Sequence, residues 1–233
     1  VRPTTDIDGC LAAQARLAIT VAALSDDDVR RPSRLPGWTV GHVLAHLARN
    51  ADSHVGMIEG AAGGQVADQY PGGDEQRAGD IDAGSGRAAS ALRADVADAA
   101  ARLERAWASV SDEVWERGRG RMRSGLHPVA DLPFLRWREV EVHHADLGLG
   151  YGYADWPDAY VDREMAVTIA RLPTRLPPGT ALVLRATDSG ETWAVPEAAP
   201  AAVEVVGDRR WLLAWLIGRA PGPASLSALR PWW

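Results

Sequence analysis

Two short segments, far apart in the chain, constrain its fold more than anything else in it: His42-Val43-Leu44-Ala45-His46 and Glu139-Val140-Glu141-Val142-His143-His144. Both lie in stretches that read as helix, and both set metal-compatible side chains one helical turn apart. Positions i and i+4 share a helix face, with Cβ atoms roughly 6 Å apart. One divalent ion can then take two ligands from one helix and a third from the other, which leaves a coordination position open, as in catalytic zinc sites. Five of the six histidines, His42, His46, His54, His143 and His144, fall in these two helices. Imidazole plus carboxylate suits zinc, with iron, nickel or manganese as chemical alternatives. The pattern by itself leaves open whether His42/His46 or Glu139/His143 is the chelating pair.

Helical periodicity organises the first part of the chain. Residues 6–24 carry Leu17, Val21 and Leu24 on one stripe, with Asp6 as N-cap. Asp26-Asp27-Asp28 caps a short turn, and Pro32 and Pro36-Gly37 punctuate a loop. Thr39 caps a second helix running to Glu59, striped by Leu44, Leu47, Ala51 and Ile58. Residues 60–86 are rich in Gly, Asp and Gln and read as either disordered or a functional loop. A third helix spans 87–109 and precedes a loop with Gly118, Gly120 and Gly125. Asp131 caps the fourth helix, with Pro133 tolerated in its first turn. That helix holds Glu139 and His143 and ends near Gly148-Leu149-Gly150.

The character changes near residue 150. Residues 158–171 read as helix, 181–186, 191–195 and 202–206 as strands, and Asp208–Arg219 as an amphipathic helix. The expected fold is α+β: a four-helix bundle over 1–150 followed by a small α/β domain over 151–233.

Composition narrows the chemistry. The sequence has no Lys, which excludes a Lys Schiff base or Lys general base. The single cysteine, Cys10, permits no internal disulfide and reads as a buried apolar residue, so any thiol chemistry needs an external thiol. A formal charge of −6 argues against nucleic acid or an anionic membrane as partner. No targeting signal or membrane-length apolar run is evident, and the chain reads as a soluble cytoplasmic monomer.

The run from Leu35 to Asn50 resembles the first-domain signature of mycothiol-dependent maleylpyruvate isomerases, within the DinB-like metal-binding helical-bundle superfamily. So does Leu135-Arg136-Trp137-Arg138-Glu139-Val140-Glu141-Val142-His143-His144-Ala145-Asp146-Leu147-Gly148. The similarity includes Arg77 within Glu75–Ile81, and it extends to Trp215–Arg219 and Arg230-Pro231-Trp232-Trp233, while Gln65–Pro71 departs from the family pattern.

The resemblance implies a DinB-like bundle and three zinc ligands that fall on His46, Glu139 and His143. His42 then lies behind the ligands or in the core. Asp146 lies on the Glu139/His143 side and could orient a ligand or hold the helix end, the second being the expected role. The resemblance further implies Zn2+ and mycothiol as cofactors and a small dicarboxylate-type substrate. Maleylpyruvate would become fumarylpyruvate by addition of a zinc-held thiolate, rotation about the former double bond and loss of the thiol, as in gentisate degradation. Arg77 would hold a substrate carboxylate. Arg219, Arg230 and Trp232 are candidate mycothiol contacts, although burial of Trp232-Trp233 against the small domain is the simpler expectation. The alternatives are a mycothiol S-transferase acting on another electrophile, and a metal-binding module without turnover.

Overall fold

The computed structural model describes residues 1–195, 202–223 and 229. They separate into two compact units, one from Val1 to Tyr151 and one beginning at Gly152. In the first unit the chain forms α1 (Thr4–Val21), α2 (Asp26–Arg30), α3 (Val40–Ala62), β1 (Ala67–Asp68), α4 (Gly73–Ser85), α5 (Ala89–Ser109) and α6 (Asp112–Arg117). The strands β2 (Arg119–Met122) and β3 (Gly125–Pro128) and the helix α7 (Leu132–Asp146) complete it. Helices α1, α3, α5 and α7 make the bundle expected from periodicity. α3 packs on α5 and α7, and α1 packs on α7 and more thinly on α5.

α1 buries Ile7, Cys10, Ala13, Leu17 and Val21, a stripe of helical spacing. Its N-cap position is Pro3, and no side-chain capping bond forms there. Asp6 therefore lies inside the first turn instead of capping it, where its charge still complements the helix N-terminus. α1 and α7 approach so closely at Gly9 that a Cβ there would lie 2.5 Å from the Trp137 ring.

α7 is buried around most of its circumference. Phe134, Trp137, Val140 and Val142 are buried, and so are Arg136, Arg138, Glu141, His144 and Asp146. With apolar and charged groups on every side, it has no dominant apolar stripe. Asp131 closes a short 3-10 turn over Val129–Asp131 and makes no side-chain capping bond, so the expected cap is absent.

The 60–86 segment is ordered: β1 pairs in parallel with β2, and α4 packs on α3. α4 escapes a periodicity reading because Ile81 is its only buried residue. The glycine-rich segment after α6 is an antiparallel β2–β3 hairpin rather than a loop.

The second unit contains α8 (Asp158–Arg171), β4 (Leu182–Ala186), β5 (Thr192–Val195), β6 (Val203–Gly207) and α9 (Arg209–Leu216). Its sheet has the order β5-β4-β6, antiparallel on one side of β4 and parallel on the other. α9 starts at Asp208, whose carboxylate accepts the Trp211 backbone N–H at 2.8 Å. The chain thus has the expected α+β architecture. Among the described residues, no helix is long and apolar enough to cross a membrane.

Candidate metal centre

α3 and α7 carry the centre. His46 points inward from α3 and is 3% exposed. Glu139 and His143 stand one turn apart on α7 and are partly buried. One ligand atom from each of the three lies within 4.8 Å of the others. His46 Nε2 is 2.9 Å from Glu139 Oε2, and His143 Nε2 is 3.4 Å from the same oxygen. The two imidazoles meet edge to face, with centroids 4.6 Å apart.

Around the three groups lie residues that set their orientation. Asp146 Oδ2 is 2.9 Å from His143 Nδ1. An ionised carboxylate only accepts, so Nδ1 carries the proton. In the neutral ring, Nε2 then turns a lone pair toward the Glu139 carboxylate. Two acceptors facing each other call for a cation between them, a proton or a metal ion. Carboxylate-oriented imidazole is the usual support of a metal-binding histidine. The residues present therefore fit a divalent ion with nitrogen and oxygen ligands, zinc foremost. Asp146 thus fixes the orientation of the His143 ring.

The electrostatics agree. Burial drives the His46 pKa down to about 4, so this imidazole is neutral. Burial works to raise the Glu139 carboxyl, but hydrogen bonds from His143 and His46 outweigh it and hold the group well below the usual carboxylate range. Burial opposes protonation of His143, while Asp146 and Glu139 favour it and raise its pKa.

His42 does not join the cluster. Its backbone N–H and Nδ1 form the capping box of α3 with Thr39, and its Nε2 lies 3.6 Å from Asp82. The Thr39-x-x-His42 spacing carried this signal, with His in the place where Glu or Gln normally closes a capping box. His54 is fully buried, and burial lowers its pKa to about 3. His144 faces another side of α7, stacked on Tyr151 at 3.8 Å, with Nε2 2.7 Å from Thr20 Oγ1.

Arg77 does reach the centre. α4 delivers it from the segment that gave no clear helical pattern, and its Nη2 donates to His46 Nδ1 at 3.2 Å. The guanidinium also lies over the Tyr70 ring, 5.5 Å from its centroid. Trp38, which precedes the Thr39 cap, adds an aromatic wall with its ring 5.7 Å from that of His46. Neither Trp38 nor Tyr70 announced this position in the sequence. Arg219 belongs to the second unit, where its Nη1 donates to the Ile217 carbonyl. Arg230 and Trp232 lie outside the described residues.

The profile of a family described as the mycothiol maleylpyruvate isomerase N-terminal domain matches residues 10–148. A crystal structure of a mycothiol-dependent maleylpyruvate isomerase superposes with a TM-score of 0.86 at 23% identity, over 100% of this chain and 98% of that one. A histidine-to-alanine mutant of a mycothiol-dependent maleylpyruvate isomerase superposes at 0.82 and 23% identity, over 94% of this chain and 90% of the other. No curated protein sequence matches the chain. At these identities the structural likeness establishes the fold.

Proposed function

The chain belongs to the family of the mycothiol maleylpyruvate isomerase N-terminal domain, and from that membership we propose that it is a zinc-dependent enzyme that isomerises maleylpyruvate to fumarylpyruvate with mycothiol as the thiol. The observation that carries this reading is the convergence of His46, Glu139 and His143 with one guanidinium, that of Arg77, at their edge.

Zinc bound to two imidazoles and a carboxylate supplies one thing, a position where a thiol stays deprotonated at neutral pH. Mycothiol would supply the external sulfur nucleophile for an addition–elimination at the cis double bond, which returns the thiol unchanged. Cys10 cannot take this part, because burial lifts its thiol pKa to about 12.

The chain's own side chains bind and orient. Both ends of the substrate are anionic, and Arg77 offers a planar fork for one carboxylate. Tyr70 supports that fork through its ring face, which limits the guanidinium's freedom. Trp38 excludes water from the His46 side of the centre. Asp146 fixes His143 in the tautomer whose Nε2 faces inward.

The test is conversion of maleylpyruvate by zinc-loaded protein with and without mycothiol, alongside His46→Ala. Thiol-dependent formation of fumarylpyruvate, lost in the variant together with bound zinc, supports the reading. Zinc retained by His46→Ala refutes the ligand set. Thiol-dependent consumption of a different electrophile, with maleylpyruvate untouched, assigns the protein to the S-transferases.

A further inference from the structure

A groove runs between α1 and α5 in the first unit and encloses about 640 Å³. That volume is within the range of small-molecule sites. Its origin is legible in the residues. Ala15 and Ala18 on α1 and Ala22 at its C-cap face Ala94, Ala97 and Ala101 on α5, both sets at i, i+3, i+7 spacing. Two rows of methyl groups cannot fill the gap between the helices. Leu17 and Val96 form its buried floor.

Four polar side chains break the apolar lining, Gln14, Arg93, Glu104 and Arg136; Arg93 donates to the Ala22 carbonyl at one end, and Glu104 is exposed to solvent. Arg136 reaches the groove from α7 and is 0% exposed. Its Nη1 donates to the Leu47 carbonyl at 2.9 Å and to Asn50 Oδ1 at 2.7 Å, both neutral acceptors. Its buried Nε–H has no hydrogen-bond partner, and neither has the buried Oε1 of Gln14 beside the groove. Among the described residues, no carboxylate lies within ion-pair distance of this guanidinium. Glu139 and Asp52 act on it only across space. A guanidinium does not shed its proton. A fully buried cation without an anion is among the least favourable arrangements in a protein interior.

We propose that this groove is a second binding site, separate from the metal centre, for an amphipathic monocarboxylate. The carboxylate accepts the Arg136 Nε–H, and Gln14 turns its amide to present N–H to the same group. The apolar tail lies along the alanine rows toward Ala22. From Gln14 to Ala22 the helix rises roughly 12 Å at about 1.5 Å per residue. An aliphatic chain of about ten carbons, with bonds near 1.5 Å, matches that length. The site does not depend on the metal or on the reaction assigned to it.

Calorimetric titration with decanoate and with decanol tests the headgroup and the tail separately. Decanoate is expected to bind one to one, and decanol at least about tenfold more weakly. Ala97→Phe fills the trough from its exposed rim without disturbing the core, and is expected to weaken decanoate at least about tenfold. Arg136→Met is expected to abolish the preference for the acid over the alcohol. Should Arg136→Met fail to fold, the decanol comparison and Ala97→Phe still decide the matter. Equal binding of acid and alcohol, no binding of decanoate at millimolar concentration, or no effect of Ala97→Phe overturns the proposal. A dimer in sedimentation that Ala97→Phe dissociates, with no decanoate bound, gives the groove to a second copy of the chain and also overturns it.

Discussion

Arg77 and His46 hold each other in one hydrogen-bonding pattern. Arg77 Nη2 is 3.2 Å from His46 Nδ1, and a guanidinium can only donate. Nδ1 is therefore the acceptor, and the proton of this neutral ring sits on Nε2, from which it is given to Glu139 Oε2 at 2.9 Å. A metal ion at Nε2 needs that nitrogen's lone pair. Moving the proton to Nδ1 sets one donor against another, so Arg77 opposes metal binding in its present position. Arg77→Gln, whose amide oxygen accepts from Nδ1–H, is expected to bind zinc about tenfold more tightly, the scale of one charge-assisted hydrogen bond. Arg77→Lys, still a donor only, stays near the parent. Competition with a chromophoric chelator measures both, and equal affinity in all three proteins contradicts the argument.

Asp146 is the counterpart on the other imidazole. Replacing it with Asn keeps the shape but removes the charge that holds His143 Nδ1–H at 2.9 Å. Zinc affinity should drop roughly 10- to 100-fold. The helical circular dichroism should not change. An unaltered affinity would show that the pair serves the helix end and not the metal.

The Cys10 thiol is fully buried, and burial raises its pKa to about 12. Raised in the folded state, the pKa contributes stability that is complete below the unfolded value of 9.0 and is lost as pH climbs from there toward about 12. At pH 8 a disulfide reagent should leave the native protein unlabelled and titrate one thiol in urea. Rapid labelling of native protein would mean that Cys10 is accessible.

Gly9→Ala pits helix propensity against packing. Propensity alone favours alanine by about 1 kcal/mol. The added Cβ, however, lies 2.5 Å from the Trp137 ring. Overpacking of this kind costs about 1–3 kcal/mol. A lower urea midpoint with an unchanged slope is the expected result. A gain in stability would show that α1 and α7 can separate freely at this point.

What the sequence disclosed followed from periodicity. α1, α3 and α5 each repeat apolar residues on one face, and Thr39 marks the start of α3 through its cap. The Glu139/His143 spacing pointed to chelation, but choosing His46 over His42 needed the family resemblance, because both lie on helix α3 one turn apart. The structure supplies the physical reason: His42 is engaged at the helix cap, while His46 faces inward. α4 was illegible because a helix held by Ile81 alone has no stripe, and with it went the position of Arg77. The β2–β3 hairpin was hidden by its brevity, four residues in each strand. Trp38 and Tyr70 gave no local sign, since their role depends on where α4 docks.

α7 is enclosed on nearly all sides, and this limits how its gene can change. Inserting or deleting one codon there would turn every later side chain by about 100°. Glu139 would part from His143, or both from Asp146, depending on where the change fell. Loops around the bundle can lengthen or shorten among relatives, whereas the stretch from Arg136 to Asp146 should tolerate substitutions at some positions but no indels at all.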